Sequence, residues 1–451
     1  MSTTTFDVFV IGTGTAGRSV ALACAKAGKK VGIADNREFG GTCSNRGCDP
    51  KKVLVGLTEI LHRSENMLGS GITKLPEVSW SDVQEFKKKF TEGMPEATEK
   101  DLQEEGITMY HQSPKFTGEH ELLVEGKKVI AEKIVIATGR VPMPLRISGG
   151  EHALTSDDFL ELKELPESMV FIGAGYIGME FAHIAARMGV KVTVIDVSGR
   201  PLSNFEEDMV SYITKASEEL GIQFYFNTEV TNIKKLIKNY KVIGESDGKK
   251  VTVKTEMIFN TAGRIPAVAE LNLEEGNVSY SDKGIKVTKK LKNTSNRDVY
   301  ACGDVADSSG LPLTPLSSKE AEVVISQLLE EEKEKMAEYA PQPSVVFTIP
   351  QMASVGLTEE EAKASGEPYQ IEQKYVPSWF NSKRIHEKYY AYKTIVNTET
   401  GQIMGAHIVA PEAGEMINLF SMAMYSRMTK KDFMKMILAY PTWGYDIRGM
   451  I

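Results

Sequence analysis

The chain has 451 residues, more than one hydrophobic core supports, so we expect several domains, and its 41% hydrophobic residues are enough to fold them. Its formal net charge of -8 and the lack of a basic tract argue against a nucleic-acid partner. Because the sequence has neither a signal-peptide pattern at its amino terminus nor about 18 consecutive apolar residues, we predict a cytoplasmic protein without a membrane partner.

The first predicted elements are a strand, a glycine-rich turn and a helix. The segment FDVFVIGTGTAG (6–17) is rich in β-branched and aromatic residues and carries Gly12, Gly14 and Gly17. A helical segment follows, and the next strand, KKVGIAD, ends in Asp35. Glycines at this spacing let backbone amides approach a pyrophosphate, and the acid accepts hydrogen bonds from a ribose. The pattern predicts a dinucleotide-binding unit.

Two cysteines five positions apart follow in GGTCSNRGCDPKK (40–52). A regular helix would separate Cys43 and Cys48 by about 7.5 Å in rise alone, whereas a disulfide needs Cα atoms within about 7 Å. Pairing therefore requires a distorted turn, which Gly47 permits and Pro50 favours. Nearby cations and a helix start favour a thiolate, so we interpret the segment as a redox-active pair. A structural disulfide and a metal site are the disfavoured alternatives, because cytoplasmic disulfides are normally transient and no second Cys/His pair lies at a matching distance.

The strand, turn, helix and strand pattern recurs in MVFIGAGYIGMEFAHIAARMGVKVTVID (169–196). Three glycines occupy its turn, beginning with Gly173 and Gly175. Asp196 lies 18 positions after the third glycine, the same offset at which Asp35 lies in the first copy. Two copies with an acidic residue at the same distance from the third glycine predict two bound dinucleotides. The alternative is that one of the two copies no longer binds a nucleotide.

The following segments close the two units and begin the rest of the chain. KIVIATGRVP (133–142) and MIFNTAGRIP (257–266) both repeat a strand, a glycine turn, an arginine and a proline. A further strand, DVYACGDVAD, ends on Gly303 and Asp304 before a helix. We interpret the charged run EEEKEKMAEYAPQPS (330–344) as a solvated linker that precedes a last domain of mixed strands and helices.

The segments GTGTAG, GGTCSNRGCDPKK, GAGYIGME, ACGDVAD, VGLTEEEA and YPTWGYD occur in this order along the whole chain. Together they resemble the class I pyridine nucleotide-disulfide oxidoreductases, the family of glutathione reductase, dihydrolipoyl dehydrogenase and mercuric reductase. The resemblance implies an α/β homodimer in which electrons pass from nicotinamide to flavin to disulfide to substrate. Its implied parts are an FAD-binding Rossmann-like domain (1–145), an NAD(P)-binding Rossmann-like domain (146–265), a continuation of the FAD domain (266–340) and an α+β dimerisation domain (341–451).

The resemblance also assigns roles to individual residues. Cys48 is expected to face the flavin, Cys43 to attack the substrate, and Lys51 to lie near flavin N5 and pair with Glu180. The residues expected to bind FAD are Gly12, Gly14, Gly17, Asp35, Thr42, Lys52, Thr138, Gly139, Asp304 and Thr314. The residues expected to bind NADH are Gly173, Ala174, Gly175, Tyr176, Ile177, Asp196 and Gly263. NADH is favoured because the Asp196 carboxylate would repel a 2'-phosphate, and NADPH is kept as the alternative because Arg200 lies close by.

The carboxy-terminal motif departs from the family pattern. Members of the family carry a histidine and a glutamate where this chain has Tyr440 and Tyr445, and Asp446 lies one residue out of register. An imidazole with a pKa near ~6.5 both takes and returns a thiol proton, whereas a tyrosine near ~10 mainly donates a hydrogen bond. We therefore expect substrate reduction rather than dithiol oxidation, with Tyr440 bonding to the interchange site across the dimer interface.

These observations predict an FAD-dependent oxidoreductase that uses NAD(P)H to reduce a small-molecule disulfide or another soft electrophile through Cys43 and Cys48. The alternatives are a metal-ion or quinone reductase, a disulfide-coupled enzyme that cleaves or carboxylates C–C bonds, and a redox sensor without turnover. No resident metal is expected. The segment SWFNSKRIHEK (378–388) is either a substrate-facing loop or an exposed bend.

Overall fold

The structure is a computed structural model that describes residues 3–330, 335–339 and 341–451. It divides into two compact units, and two of the five boundaries between them fall within helices. The first unit comprises Met1–Lys51, Glu85–Met143 and Arg264–Tyr339, and the second comprises Lys52–Gln84, Pro144–Gly263 and Ala340–Ile451. Part of the predicted linker, at 331–334 and 340, lies outside the described residues.

Strands recur throughout the chain. In chain order, the strands of the described residues are β1 (Thr3–Ile11), β2 (Val31–Ala34), β3 (Thr108–Tyr110), β4 (Lys115–Gly118), β5 (Glu121–Val124), β6 (Lys127–Ile136), β7 (Arg140–Pro142), β8 (Ser168–Ile172), β9 (Lys191–Ile195), β10 (Gln223–Tyr225), β11 (Glu229–Lys235), β12 (Tyr240–Ser246), β13 (Lys249–Thr255), β14 (Met257–Asn260), β15 (Arg264–Pro266), β16 (Tyr280–Ser281), β17 (Gly284–Lys286), β18 (Val299–Ala301), β19 (Ala306–Asp307), β20 (Ser344–Val346), β21 (Gln351–Gly356), β22 (Tyr369–Tyr375), β23 (Ala391–Asn397) and β24 (Ile403–Ala410).

Helices lie between groups of strands. They are α1 (Thr15–Lys26), α2 (Gly41–Arg46), α3 (Cys48–Asn66), α4 (Trp80–Thr91), α5 (Met94–Glu104), α6 (Ser156–Leu160), α7 (Tyr176–Arg187), α8 (Glu207–Glu219), α9 (Thr314–Leu328), α10 (Glu359–Ser365), α11 (Phe380–Lys383), α12 (Ala413–Tyr425), α13 (Lys430–Lys435) and α14 (Trp443–Asp446), with short 3-10 helices at Gly150–His152 and Ile447–Met450. None of the helices in the described part of the chain combines the length and the apolar character needed to cross a bilayer.

The first unit is built around a seven-stranded sheet with β1 near its centre. β1 pairs in parallel with β2 and β6, β2 pairs in parallel with β3, and β18 pairs in parallel with the last residues of β6. The strands β5 and β4 extend the sheet in antiparallel fashion from the first residues of β6. The carboxyl ends of five parallel strands (β1, β2, β3, β6 and β18) therefore share one edge, which is where open α/β sheets bind their ligands.

The strands of the first unit have continuous apolar sequences because they lie in its core. Phe9, Val10 and Ile33 are fully buried in β1 and β2, because helices or loops cover both faces of a parallel sheet. Val20 on α1 and Val324 on α9 belong to the same core cluster, and these two helices pack together. The predicted helix and strand types of this region are confirmed.

The second unit contains a second parallel sheet in the order β10-β9-β8-β14. An antiparallel three-stranded sheet, β11-β12-β13, lies between β10 and β14 in the sequence. The last part of the chain forms an antiparallel sheet in the order β20-β21-β24-β23-β22, against which α12 packs. The predicted α/β class with a carboxy-terminal mixture of strands and helices is thereby confirmed.

Candidate functional site

The glycine turn after β1 is formed by direct backbone contact. Gly12 has a φ of 108°, and a Cβ there would lie 2.3 Å from the backbone oxygen of Ala137. A Cβ on Gly17 would lie 2.0 Å from the oxygen of Gly12. Only glycine fits these two positions, and Gly14 is the N-cap of α1. The turn thus exposes amides at the positive end of a helix, the arrangement that binds a pyrophosphate.

Asp35 also holds this turn together, a role that the sequence analysis did not predict. Its Oδ2 accepts hydrogen bonds from the backbone N–H and the hydroxyl of Thr13, at 2.8 and 2.7 Å. Its Oδ1 accepts from the N–H of Arg37 at 3.1 Å. The Thr13 hydroxyl in turn accepts from the N–H of Gly40 at 3.2 Å. Thr13 therefore joins the nucleotide turn to the segment that carries the cysteines.

The start of α2 lies directly against the same turn. Gly41 has a φ of 75°, and a Cβ there would lie 2.4 Å from the Cα of Gly14. Cys43 follows two residues later on α2. The predicted cysteine segment and the first predicted dinucleotide unit therefore form one site.

The chain bends between the two cysteines at Gly47, as predicted. Gly47 ends α2 with φ -139° and ψ -114°, and a Cβ there would lie 2.8 Å from the oxygen of Thr42. Cys48 is the first residue of α3, and both thiols are free in this structure. The hydroxyl of Thr314, at the start of α9, donates to Cys43 Sγ at 3.3 Å and lies 3.8 Å from Cys48 Sγ. The structure thus brings together three residues that the sequence predicted for the site.

The two thiols differ in acidity. The pKa of Cys48 falls to about 6, chiefly because Cys43 donates a hydrogen bond to it; Thr314 and the charge of Lys51 also lower it, and burial opposes them. Its position at the amino end of a 19-residue helix favours the thiolate as well. The hydrogen bond to Cys48, and then burial, raise the pKa of Cys43. At neutral pH Cys48 is therefore the thiolate and Cys43 the thiol.

The residues after β6 and β18 provide the other side of the same sheet edge. Thr138 Oγ1 is buried, and it has no hydrogen-bond partner among the described residues. Arg140 donates through Nε to the backbone oxygen of Asp304 at 3.0 Å and through Nη2 to that of Lys283 at 2.9 Å. Burial raises the pKa of the Asp304 carboxyl, while Arg264 and Arg140 oppose the shift. A free hydroxyl, a carboxyl and exposed turn amides suit a polar nucleotide such as FAD.

Glu320 is a further residue of this region that the sequence analysis missed. It lies on α9 with 4% exposure, and its Oε2 accepts from the N–H of Gly303 at 2.6 Å. Its Oε1 accepts from the hydroxyls of Ser308 and Tyr339, at 2.6 and 2.5 Å. Burial raises its pKa. Glu320 and Asp304 line a pocket of about 170 Å³, so this carboxyl fixes the turn that leads into Asp304.

The second glycine turn, in the second unit, repeats the first. Gly173 has a φ of 108°, and a Cβ there would lie 2.4 Å from the backbone of Thr261. Asp196 accepts through Oδ2 from the N–H of Ala174 at 2.5 Å and through Oδ1 from that of Ser198 at 2.6 Å. The other predicted residues of this turn are Gly175, the N-cap of α7, Tyr176 and Ile177, its first residues, and Gly263, with a φ of 138°.

Arg200 is engaged by the backbone. Its Nη1 donates to the oxygen of Leu202 at 3.1 Å, and its Nη2 donates to the oxygens of Ser203 and Phe205 at 2.9 and 3.0 Å. Val197, next to Asp196, is 68% exposed. The guanidinium of Arg200, the reason for retaining NADPH as an alternative, is therefore already bound by backbone carbonyl groups.

The remaining predicted residues of the catalytic region are distributed over both units. Lys52 forms an ion pair with Glu59 at 2.9 Å and lies 4.5 Å above the ring of Phe347. Glu180 is buried, and its Oε1 accepts from the N–H of Phe347 at 2.8 Å. Lys51 belongs to the first unit and Glu180 to the second, so their pairing stays a prediction.

At the carboxy terminus Tyr440 is exposed. Its side chain is 66% accessible, and its ring centre lies 5.1 Å from that of Tyr445. Asp446 accepts instead from the Tyr390 hydroxyl at 3.0 Å and from the Asn381 amide at 3.1 Å, and burial raises its pKa. Asp446 is thus occupied by neighbours other than Tyr440.

The segment 378–388 contains both buried and exposed residues. Trp379 packs edge-on against Tyr390 at 5.6 Å, and Asn381 is buried. Phe380 is exposed, with its ring centre 6.3 Å from that of Tyr440. One side of the segment is core, and the other lies on the surface beside Tyr440.

Three carboxylates converge in the second unit on a buried lysine. Lys393 Nζ contacts Glu206 at 2.7 Å, Glu359 at 2.6 Å, and Asp208. These hydrogen bonds raise the pKa of Lys393 against the effect of its burial. The carboxylates are therefore accounted for by an ammonium group.

Comparison with known proteins identifies the family. Residues 6–321 match the family described as "Pyridine nucleotide-disulphide oxidoreductase", and residues 342–449 match its dimerisation domain. Dihydrolipoyl dehydrogenase of Bacillus subtilis is 30% identical over 97% of this chain and 94% of its own. Mercuric reductase of Staphylococcus aureus is 29% identical over 98% of this chain and 81% of its own.

Solved structures agree with this assignment. The HOCl-induced flavoprotein disulfide reductase RclA from Escherichia coli is 26% identical, with a TM-score of 0.87 over 98% of this chain and 99% of that one. Its Cu(II) complex matches to the same extent. The family uses FAD and NAD(P)H, and the dimerisation domain supports a homodimer. The chain belongs to the class I pyridine nucleotide-disulfide oxidoreductases and is an FAD-dependent, NAD(P)H-linked disulfide reductase.

Proposed function

We propose that this chain uses NADH to reduce a low-molecular-weight disulfide through Cys43 and Cys48. The observation that carries the proposal is the pair of unequal thiols beside the first nucleotide turn. The hydroxyl of Thr314 lies within 3.3 Å of Cys43 Sγ and 3.8 Å of Cys48 Sγ. A thiolate next to a protonated thiol is the state of a dithiol that is ready for exchange with a disulfide.

The residues of this chain then carry out two exchange steps. FAD, when bound, supplies the electron pair that opens the Cys43–Cys48 disulfide. Cys43 loses its proton and attacks one sulfur of the substrate, so a mixed disulfide forms and the first substrate thiolate leaves. The Cys48 thiolate attacks Cys43 Sγ, restores the protein disulfide and releases the second thiolate. Two electrons pass to the substrate, and each released thiolate takes up a proton.

The raised pKa of Cys43 makes its deprotonation the demanding step, since Tyr440 stands where the family has a histidine. A tyrosine hydroxyl carries its own proton near neutral pH, so it is not available as a base to remove this one. A substrate whose thiols are acidic releases them as stable thiolates, so its leaving group needs no proton donor in the site. We therefore expect aromatic disulfides, whose thiols are acidic, to react faster than aliphatic ones.

A trapping experiment tests the two cysteine roles. In Cys48→Ser, Cys43 can form the mixed disulfide with substrate but cannot be released by its partner. We expect mass spectrometry to find one substrate thiol on the Cys43 peptide, with turnover lowered at least about 100-fold. Cys43→Ser is the matched control and should stay unmodified at that position. An adduct on Cys48 of the Cys43→Ser protein, with none on Cys43 of the Cys48→Ser protein, would reverse the assignment.

The preference for NADH rests on Asp196, Val197 and Arg200. The Asp196 carboxylate would repel a 2'-phosphate, and Arg200 is committed to three backbone carbonyl oxygens. We expect kcat/KM with NADH to exceed that with NADPH by about 100-fold, equivalent to ~2.7 kcal/mol. Val197→Arg should narrow this ratio about tenfold, and Val197→Gln is the uncharged control. Equal kcat/KM values for the two nucleotides in the unchanged protein would contradict the preference.

Reduction of a soft metal ion is a second candidate. The related RclA forms a Cu(II) complex, other relatives are mercuric reductases, and a thiolate with an adjacent thiol suits soft metals. Steady NADH oxidation with Cu(II), lost in Cys43→Ser, would favour this substrate over disulfides. The quinone reductase and the carbon–carbon cleaving alternatives are tested in the same substrate panel. A redox sensor would consume one equivalent of NADH and stop.

A further inference from the structure

Three lysines lie directly opposite one another on the antiparallel sheet β11-β12-β13. Lys234 on β11 pairs with Lys241 on β12, and Lys241 pairs with Lys254 on β13. Opposed residues of adjacent strands have Cβ atoms about 4.5–5.5 Å apart, and like charges at such positions repel. We call these three residues the lysine row. It is invisible in the sequence, because its members are separated by seven and thirteen positions.

The lysine row faces away from the core. Ile233 and Val242, the neighbours of Lys234 and Lys241, are buried in one core cluster, with Val253 packed against it. Successive side chains of a strand point to opposite faces, so the lysines occupy the outer face. Within the described chain, none of the three lysines has a carboxylate within ion-pair distance. The positive charge of the row is therefore available to an outside partner.

The hairpin that joins β11 to β12 presents apolar side chains beside this charge. Its turn is closed by a hydrogen bond from the N–H of Leu236 to the oxygen of Asn239 at 2.7 Å. Ile237 is fully exposed and Leu236 is 41% exposed. The exposed lysines Lys235 and Lys238 flank them. Apolar side chains flanked by cations are the combination found where proteins contact the surface of an anionic membrane.

We propose that the lysine row and the hairpin tip together form a binding surface for an anionic lipid bilayer. The lysines contact lipid phosphates, and Ile237 and Leu236 enter the headgroup region. This contact requires no membrane-spanning helix, so it is compatible with a chain that has none among its described residues. It departs from the expectation that no membrane partner exists.

Charge and shape favour lipid over nucleic acid as the anion. Nucleic acid would use the lysines and leave Ile237 in water, whereas a bilayer takes up both groups. The chain as a whole carries a net charge of -8, so an anionic surface attracts this face and repels the rest. The contact is then oriented, reversible and sensitive to salt.

Co-sedimentation of the FAD-loaded full-length protein with vesicles tests the proposal. We expect binding to vesicles of phosphatidylcholine with phosphatidylglycerol, and little binding to phosphatidylcholine alone. Raising the salt from low to physiological strength should weaken it. A tryptophan placed at the tip by Ile237→Trp should shift its fluorescence to shorter wavelength with anionic vesicles only.

Charge-matched variants separate this surface from net charge. Neutralising the row with Lys234→Gln, Lys241→Gln and Lys254→Gln should lower vesicle partitioning about 100-fold, at about five-fold per lysine. Neutralising the exposed Lys74, Lys100 and Lys319 removes the same charge elsewhere and should leave partitioning near the parent value. The row variant should keep NADH-dependent turnover and a Tm at or above that of the parent, because like-charge repulsion is removed.

Three results would overturn the proposal. They are equal binding to neutral and anionic vesicles, equal loss of binding in both lysine triplets, and row-dependent binding to duplex DNA or RNA without vesicle binding. The last result would identify the anion as nucleic acid. A variant that fails to fold is recognised by its Tm, and the Ile237→Trp protein then provides the decisive measurement.

Discussion

Thr314 places one hydroxyl near two sulfur atoms, and this contact adds to the hydrogen bond between the two thiols, which is the main cause of their difference in acidity. It donates to Cys43 and lowers the pKa of both thiols. The sequence placed Thr314 at the site only through its motif, because the geometry depends on α9 meeting the bend at Gly47. The pKa difference between the thiols could not be predicted from sequence, since it arises from one hydrogen bond between side chains.

The lowered pKa of Cys48 predicts a specific pH dependence. The pKa falls from the ordinary value of 9.0 to about 6, so ionisation of Cys48 stabilises the fold fully above the ordinary pKa. This stabilisation is lost as the pH falls through about 6. We expect the alkylation rate of Cys48 in the reduced protein to fall over the same range, as read by mass spectrometry.

Removing the Thr314 hydroxyl shifts this profile. Thr314→Val keeps the shape of the side chain and removes the hydroxyl that lies 3.8 Å from Cys48 Sγ and lowers the pKa of that thiol. A hydrogen bond to a charged group contributes about 1.5 kcal/mol. The midpoint for Cys48 alkylation should rise by about one pH unit. Thr314→Ser keeps the hydroxyl and should restore the parent profile. An unchanged midpoint in Thr314→Val would remove Thr314 from the control of thiol acidity.

At the scale of elements, the two strand–turn–helix units match their prediction from sequence. Gly12 and Gly173 share a φ of 108°, which explains why the same spacing recurs. The predicted linker is less simple, because in its described part the N–H of Ala337 donates to Lys289 and the hydroxyl of Tyr339 donates to Glu320. A charged composition predicts a solvent-exposed segment. It does not predict that individual residues of the segment, here Ala337 and Tyr339, form hydrogen bonds with the rest of the unit.

Glu320 links α9 to the turn before Asp304, and this predicts its effect on FAD binding. Glu320→Gln replaces one carboxylate oxygen with an amide group, which donates instead of accepting. The variant therefore loses either the hydrogen bond from the N–H of Gly303 or the two hydrogen bonds from the hydroxyls of Ser308 and Tyr339. A lost bond to a buried charge costs about 1.5–3 kcal/mol. We expect the Kd for FAD, measured by reconstituting the apoprotein, to rise about tenfold or more.

The control for this prediction lies on the same helix. Glu322 is exposed and pairs with Lys319 at 2.9 Å, so Glu322→Gln should leave the Kd for FAD near that of the parent. Glu320→Ala should weaken FAD binding further. Parent-like FAD affinity in both Glu320 variants would show that other bonds hold the turn.

At the scale of the whole molecule, each motif consists of residues close together in the chain, so the sequence alone predicted the family. The resemblance to that family in turn implied the two cofactors and the dimer. The lysine row depended instead on strand register, and Glu320 accepts hydrogen bonds from a loop that precedes its helix, at Gly303 and Ser308, and from Tyr339 after it. Neither of these follows from motif spacing. The sequence shows Tyr440 at the position where the family has a histidine. The effect of this difference depends on how two subunits associate in the dimer.

A mixed-dimer experiment tests the proposed role of Tyr440 across the interface. Tyr440→Phe should lower turnover about tenfold, the effect of one hydrogen bond near a charged thiol. Dimers that combine one Tyr440→Phe subunit with one Cys43→Ser subunit contain one complete site if Tyr440 acts on the partner. We expect them to show about half of the parent turnover. Turnover no higher than in Tyr440→Phe alone would place Tyr440 in its own subunit's site, and unchanged turnover in Tyr440→Phe would remove its role.

The contact between Gly41 and Gly14 has a consequence for engineering this enzyme. One methyl group at position 41 would meet the Cα of Gly14 at 2.4 Å, so the glycine turn after β1 and the sulfur-bearing helix α2 are in direct backbone contact with no room for a side chain between them. Selection for a different flavin analogue would therefore also disturb the spacing of the thiols. Libraries that hold Gly41 constant should yield far more coloured, folded clones than libraries that vary it.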